Sequence, residues 1–515
     1  MSQKEQTNKQ KIVIYWSRRD FRLNDNPALA EAINYSQTNN LEFLPIYILD
    51  NGLLEDNKFN IGTARREFLA VCLEKFAKNF KEFLIFQGNY KQIFENLLKN
   101  FEIELFVNED IEPYSKERDN FVKKLLESNQ NSLSKLNSYH DQLTIFREIR
   151  AGSGNLYSVF TPFKNAVLEE FLSAKVYPMI SLKNLQVLKA VSRESLNLLK
   201  QAGTIIQSNS DIIFKLIDKP NILHYKNSDG GDKTINIDDI HQRFSVKETW
   251  YTSEEEALIV WQKFLDNKIT SYKESRDGLG MDTLGVGQTS KMSVALKWGL
   301  VSVRYLKQSI LEKFGPLEII SNSNLYQFIA ELIWREFYRY ILYHRPSVLG
   351  LEYQLKFQNK INWEKGEIAD ERFLAWIKGE TGYKVVDASM NQLAKVGWMH
   401  NRSRMIVASI LTKNLGIDWR WGQEYFRLVL LDLDEASNNG GWQWGSSTGS
   451  DPKPIRIFNP YLQTENYDKE SLYQNKWLPK NYNHSKLPII EHKLAREQAL
   501  IRYNSNNFKI TPRDS

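Results

Sequence analysis

The sequence predicts a chain of two unlike parts: an α/β region with a parallel sheet covered by helices on both faces, then a larger region built of helices alone. Three observations predict it. Short apolar runs alternate with amphipathic stretches over roughly the first 150 residues. From about Thr252 onward the apolar residues recur at helical spacing. Between these lies a polar stretch, residues 180–250, rich in Asn, Ser and Asp and containing the turn-like Asn227–Lys233, which reads as a long connection with surface loops.

The elements follow in order. Lys11–Trp16, Phe43–Leu49, Phe83–Gln87 and Glu104–Asn108 are apolar runs of strand length. A helical pattern runs from Thr63 to about Phe80 and another from Tyr90 to Lys99, and Pro113 opens a third, at a position where its missing N–H costs nothing. A sheet of this kind binds ligands at the carboxyl ends of its strands, yet the chain has no GxGxxG fingerprint and no phosphate-binding P-loop. In the second part, Glu254–Ile269, Lys291–Lys313, Asn324–His344, Asp370–Lys378, Ala388–Val396, Asn401–Leu415 and Trp421–Leu430 have helical spacing. The boundaries expected are a disordered start over 1–10, the α/β domain over 11–145, a connector over 146–250, the helical domain over 251–482 and a tail over 483–515.

Composition narrows the function classes. The single cysteine, Cys72, rules out an intrachain disulfide and a cysteine-based metal site, and fits a reducing compartment. No apolar run approaches the roughly 18 residues of a membrane span, and the polar first eleven residues lack the apolar stretch of a secretory signal. The expectation is a cytoplasmic monomer without a membrane partner. A net charge of +6 permits an anionic partner without demanding one. Tryptophan is unevenly placed: twelve of the 13 lie at or after Trp250, and eight between Trp334 and Trp444.

Four stretches could carry chemistry. In Gln288–Ser293 (QTSKMS), Thr289 or Ser290 could cap the following helix, or the hydroxyls and Lys291 could hold a phosphate. In Asn401–Met405 (NRSRM) the two arginines form a solvated basic face, or one meets an internal acid and the other an outside phosphate. Asp432–Trp444 (DLDEASNNGGWQW) reads as a turn-rich loop, or as an amide and carboxylates suited to the edge of a heterocyclic ring; nothing beside them supplies a metal's remaining ligands. Glu331–Arg339 (ELIWREFYR) is an amphipathic helix with an i,i+4 Glu331–Arg335 pair, or a surface on which Glu331, Trp334, Arg335 and Tyr338 bind and stack a planar base.

WSRRDFRLNDNPAL, YKESRDGLG with QTSKMS, ELIWREFYR, GWMHNRSRM, GIDWRWGQEYF and NNGGWQWGSSTGSDPKPIRIFNP occur in this order over more than 400 residues. Together they resemble the photolyase/cryptochrome family, and most of all its class I cyclobutane pyrimidine dimer photolyases. The resemblance is thinnest over 180–250. It implies a five-stranded parallel sheet in the α/β antenna domain, a long connector, and a helical domain that holds FAD. It implies repair of UV-damaged DNA, single- or double-stranded: light excites the reduced flavin, an electron splits the flipped-out dimer, and the electron returns.

Carried over by matching position, the resemblance places Tyr272 and Thr289, Ser290, Lys291, Met292 and Ser293 on the FAD phosphates. Lys291 and Met292 stand where the family more often has Arg and Leu. Asp432, Leu433, Asp434 and Asn438 would meet the flavin and adenine side, Arg404 would pair with Asp432, and Asn438 would lie against flavin N5. Glu331 would bond the dimer, with Trp334 and Trp444 as walls and Asn401 and Met405 completing the pocket. Arg335 and Tyr338 belong to the same lesion-facing helix, and Arg276, Arg402 and Gln463 would contact the surrounding DNA. Trp442, Trp419 and Trp363 match an electron-transfer chain, the last with a spacing to Trp376 three residues longer than the family pattern. A second, antenna chromophore of folate or deazaflavin type is implied without its identity; where one folate-binding pattern has Asn-Glu, this chain has Tyr114 and Ser115. The other readings are a flavin blue-light photoreceptor, which would often carry a longer extension, and a six-four photolyase, which would need pocket histidines where this chain offers His400.

Overall fold

The computed structural model describes residues 9–54, 61–128, 134–145, 148–206, 219–227, 230–280, 288–450, 455–504 and 513–514. Of the expected disordered start, residues 1–8 lie outside this set, as do 281–287 of the glycine-rich run before QTSKMS and most of the tail after Asn504.

The sheet is built from β1 (Gln10–Trp16), β2 (Glu42–Asp50), β3 (Leu84–Gly88), β4 (Phe101–Asn108), β5 (Lys135–Tyr139) and β6 (Thr204–Ile205), in the order β5-β4-β1-β2-β3-β6. β1 is central: Ile12 to Tyr15 are fully buried, which is why the run is continuously apolar and does not alternate. β1 pairs in parallel with β2 and β4, bringing Ile14 beside Leu44 and Leu105. The expected five parallel strands are present, and a sixth corrects the count. β6 lies antiparallel on the outer edge of β3. With two residues it is too short to produce a period-2 signal, and it belongs to the connector, which returns to cover the edge of β3.

Helices α1 (Pro27–Asn39), α2 (Thr63–Ala77), α3 (Tyr90–Asn100) and α4 (Pro113–Glu127) flank the sheet. Proline occupies the first turn of α1 and of α4, and Asn26 caps α1 by accepting from Leu29 N–H. The connector contributes α5 (Phe160–Ser173) and a hairpin of β7 (Ile222–Lys226) and β8 (Asp232–Asn236).

The helical part comprises α6 (Glu254–Asn267), α7 (Met292–Trp298), α8 (Val303–Ser321), α9 (Ser323–His344), α10 (Gly366–Lys378), α11 (Lys384–Val396), α12 (Asn401–Ser409), α13 (Trp419–Val429), α14 (Glu435–Gly445), α15 (Pro460–Tyr467) and α16 (His492–Asn504), among shorter turns. Three sequence expectations are corrected here. The run Lys291–Lys313 is two helices, because the chain turns left-handed at Gly299 and restarts where Ser302 caps α8. The run Asn401–Leu415 passes from α to π geometry over Ile410–Asn414. The turn-rich reading of Asp432–Trp444 fails after Asp434: α14 begins there, with the Asp434 side chain accepting from Ser437 N–H.

The two parts share one core, in which Phe68 of α2 stacks on Trp298 of α7 at 5.1 Å. Buried ion pairs join them as well. Arg304 of α8 reaches Asp141 and Asp25 of the first part at 2.9 Å each, and Arg22, which bonds the same Asp141 at 2.5 Å, donates across to Gly299 O at 3.2 Å. Much of the WSRRDFRLND motif therefore serves this junction. Among the described residues, no helix is long and apolar enough to cross a membrane.

Candidate functional site

Three separated stretches converge beneath α14. Trp298 Nε1 donates to Leu431 O at 3.0 Å, Leu431 N–H donates to Gly397 O at 2.8 Å, and Trp398 Nε1 donates to Ser293 Oγ at 3.2 Å. QTSKMS, GWMHNRSRM and DLDEASNNGG thus become neighbours. Lys291 turns the chain left-handed before α7, and the Tyr251 hydroxyl fixes that turn by donating to Lys291 O at 2.5 Å and accepting from Ala295 N–H at 3.2 Å. The Lys291 ammonium lies 5.5 Å from the Trp398 ring. Met292 is buried, Thr289 and Ser290 are half-buried, and Ser293 is exposed. Tyr272 is buried with its ring edge-on to Phe328.

The acids at the start of α14 divide their duties. Asp432 Oδ2 accepts from Arg404 Nη2 at 2.7 Å, the pair expected from the resemblance, while Asp432 Oδ1 is buried without a partner among the described residues. Asp434 has both oxygens engaged, one capping α14 and the other bonded to Arg339. Burial would raise the Asp434 carboxyl, but Arg339, Arg335, the Ser437 N–H and Lys297 outweigh it and hold it well below the usual range. Leu433 between them is buried. One turn into α14, Asn438 donates to Gln423 O at 3.3 Å, and its amide Oδ1 is buried with no donor among the described residues.

A buried carboxylate oxygen and a buried amide oxygen that meet no donor are costly unless a ligand completes them. A ring that presents N–H groups along one edge would do so. On that observation the residues present fit a flavin: Asp432 and Asn438 toward the ring, and the segment from Thr289 to Ser293, with Lys291, toward anionic groups.

The second half of the site lies along α9. Glu331 is bonded by Arg276, and Gln327 Nε2 donates to it at 2.7 Å. Arg276 also lies 4.0 Å from Asp277, which Arg402 Nη2 reaches at 2.7 Å. Arg276, Glu331, Asp277 and Arg402 thus form one chain of charges from residue 276 to the first turn of α12, with the Arg402 guanidinium 4.2 Å from the Tyr467 ring. Asn401 is exposed and Met405 half-buried beside it, with 3.9 Å between Asn401 Nδ2 and Met405 Sδ. Trp444 is half-buried, edge-on to Phe458, with the Arg456 guanidinium 5.3 Å from its ring. Gln463 is buried in α15.

The other expected residues of α9 have partners of their own. Arg335 does not pair with Glu331; it donates to Gln142 O and Oε1 at 3.0 and 3.1 Å, across the junction of the two parts. Trp334 has one face covered by Phe160, stacked at 3.6 Å. Tyr338 lies flat against α14 at Gly440, where a Cβ would come within 2.1 Å of its ring. That contact explains a glycine in the middle of a helix. His400, the residue a six-four reading would need, is buried and caps α12: its Nδ1 accepts from Arg402 N–H at 3.1 Å.

The tryptophans occupy distinct surroundings. Trp442 is buried edge-on to Phe426 at 5.0 Å and to Trp376 at 5.9 Å. Trp419 is fully buried at the start of α13. Trp363, 9% exposed, lies edge-on to Tyr503 of α16 at 6.1 Å. Three site residues were not singled out from sequence: Asp277, Arg339 and Arg456. All lie inside the quoted motifs, but their partners Arg402, Asp434 and Trp444 lie on other elements, so spacing alone held no signal for them.

Comparisons with known proteins bear on this geometry. Residues 13–181 match the DNA photolyase family, and residues 328–507 match the FAD binding domain of DNA photolyase. A deoxyribodipyrimidine photo-lyase of Synechococcus sp. is 32% identical over 96% of this chain and 96% of its own. That of Escherichia coli is 30% identical over 96% and 98%. A bacterial class III photolyase from Agrobacterium tumefaciens superposes with a TM-score of 0.75, at 26% identity, over 98% of this chain and 99% of that one.

Proposed function

This chain belongs to the DNA photolyase family, and from that premise we propose that it repairs cyclobutane pyrimidine dimers in DNA under light, with FAD as its cofactor. One observation carries the reading: the Glu331–Arg276–Asp277–Arg402 network sets an oriented carboxylate among arginines beside Asn401, while Asp432 and Asn438 leave buried oxygens for a ring.

Bound in reduced form, FAD supplies on excitation the electron that opens the cyclobutane ring. The chain's own residues do the rest. Asp432, held by Arg404, would offer its second oxygen to the ring. Asn438 offers a neutral amide there, which accepts a hydrogen bond without presenting an acid. Lys291 and the hydroxyls of Thr289 and Ser290 serve the phosphates.

Photolyases are among the enzymes that extrude their target nucleotides, because a fused dinucleotide cannot reach a buried cofactor inside the duplex. Arg276 and Arg402, with guanidinium forks suited to phosphate, position the backbone without reading sequence. Glu331 accepts from the extruded pyrimidines and is kept from rotating by Arg276 and Gln327. Trp444 supplies an apolar wall on one side and Trp334, backed by Phe160, on the other, with Asn401 and Met405 between. Trp442, Trp419 and Trp363 are the oxidisable side chains that relay electrons inward to keep the cofactor reduced.

Extrusion can be tested in the dark. A duplex with one thymine dimer and 2-aminopurine opposite it should brighten when the protein binds, and an undamaged duplex should not. Equal response of the two duplexes would sink the reading.

A further inference from the structure

We propose that Glu352 is a positioning residue that gives the tryptophan relay its direction, by making Trp419 easier to oxidise than Trp442. The inference rests on the relay proposed above and adds a residue to it.

The two indoles meet through α13. A Cβ at Gly422 would lie 2.0 Å from Trp442 Cη2, so the Trp442 ring rests on the helix backbone at that point. Trp419 is three residues earlier on α13, a spacing that places side chains side by side on one helix face.

Their polar surroundings are opposite. Trp442 Nε1 is buried and has no acceptor among the described residues, and its ring faces Phe426 and Trp376. Trp419 Nε1 donates to Glu352 Oε1 at 3.4 Å, with the residues 0% and 1% exposed. Glu352 is held in place: Arg420 Nη2 lies 2.9 Å from Oε1, and Asn359 N–H donates to Oε2 at 3.3 Å.

The Arg420 guanidinium also stacks 4.7 Å from the Trp419 ring, which opposes the effect of Glu352. It does not cancel it. Arg420 is 27% exposed and pairs as well with Asp418 at 3.0 Å, so two carboxylates face one partly solvated cation. The sum beside Trp419 is one negative charge in a water-poor setting, where charge interactions are strong. An indole cation is favoured there and disfavoured at Trp442.

The step is a one-electron exchange. With oxidised FAD bound and excited by light, one electron would leave Trp442 for the flavin, and one would then pass from Trp419 to the Trp442 cation. No covalent bond breaks, and the Trp419 indole proton stays in its hydrogen bond to Glu352.

Glu352→Gln tests this, because it keeps the shape and an acceptor oxygen but loses the charge. In flash experiments on the FAD-loaded protein, the fraction of charge separation surviving one microsecond should fall about tenfold or more relative to wild type. Glu352→Asp should restore most of it. In the apoprotein, the ¹⁵N indole resonance of Trp419, assigned by its loss in Trp419→Phe, should move in Glu352→Gln. A shifted resonance with unchanged charge-separation survival overturns the proposal. Full charge separation in Trp442→Phe would instead remove the relay itself, and this inference with it.

Discussion

Arg404→Ala strips Asp432 of its hydrogen-bond partner among the described residues and so isolates the cofactor side of the site. The Asp432 side chain is 2% exposed and that of Arg404 26%. Breaking a fully buried pair from one side costs roughly 3–5 kcal/mol. The arginine half is a quarter exposed, so water can enter behind it, and the expected loss is about 2–3 kcal/mol. Asp432→Asn, which exchanges the charge for an amide, should cost about 1–2 kcal/mol. The double variant should cost little more than Asp432→Asn alone, giving a coupling energy of about 1.5–2 kcal/mol. Urea unfolding of the four apoproteins measures the cycle, and FAD fluorescence quenching measures the cofactor. FAD affinity should fall about tenfold or more in Arg404→Ala, because Asp432 loses the guanidinium that fixes its carboxylate in place. A coupling below about 0.5 kcal/mol, or unchanged FAD affinity, would refute the assignment.

Other expectations concern the remaining groups. Trp442→Phe should abolish light-driven reduction of bound FAD, followed by absorption, yet leave repair by chemically reduced protein intact. Glu331→Gln should lower repair per absorbed photon by up to about tenfold, the worth of one good hydrogen bond, with a smaller effect on DNA affinity in binding titrations. DNA affinity should fall steeply with salt, and Arg402→Ala should reduce the log–log slope by about one phosphate contact, roughly 0.9. Burial, with Arg456 nearby, pushes the Lys413 ammonium down to about 7. An unfolded lysine titrates near about 10.4, so between these values the unfolded chain holds a proton the folded chain has released. Stability should therefore rise with pH by up to about 1.4 kcal/mol per unit, with the burial penalty fully present below about pH 7. Lys413→Met should flatten that rise in urea titrations; equal slopes for both proteins from about pH 7 to 9 would count against it.

What was legible in the sequence follows from which forces act locally. β1 was plain because burial on both faces makes it continuously apolar, and α4 because Pro113 marks its first turn. β6 was not, because two residues cannot display a period. Helix α14 was hidden for a tertiary reason: Asn438 to Gly441 are turn formers, and only the approach of Tyr338 to Gly440 and of Ala408 to Gly445 explains glycine inside a helix. In the site, Asp432 and Arg404 are 28 residues apart and were joined only through the resemblance. Helical spacing suggested a Glu331–Arg335 pair, yet Arg335 is drawn to Gln142 and Glu331 to Arg276, because tertiary partners outbid a local pair worth a few tenths of a kcal/mol.

One assay addresses the central claim directly. Protein reduced with dithionite is mixed with two duplexes, one holding a cyclobutane thymine dimer and one a six-four product, and each is followed in light and in darkness. The residues assembled around Glu331, Trp444 and Asn438, with His400 engaged as a helix cap, predict that the dimer disappears only in light and that the six-four product persists. Loss of the six-four product, or survival of the dimer under light, would contradict the account.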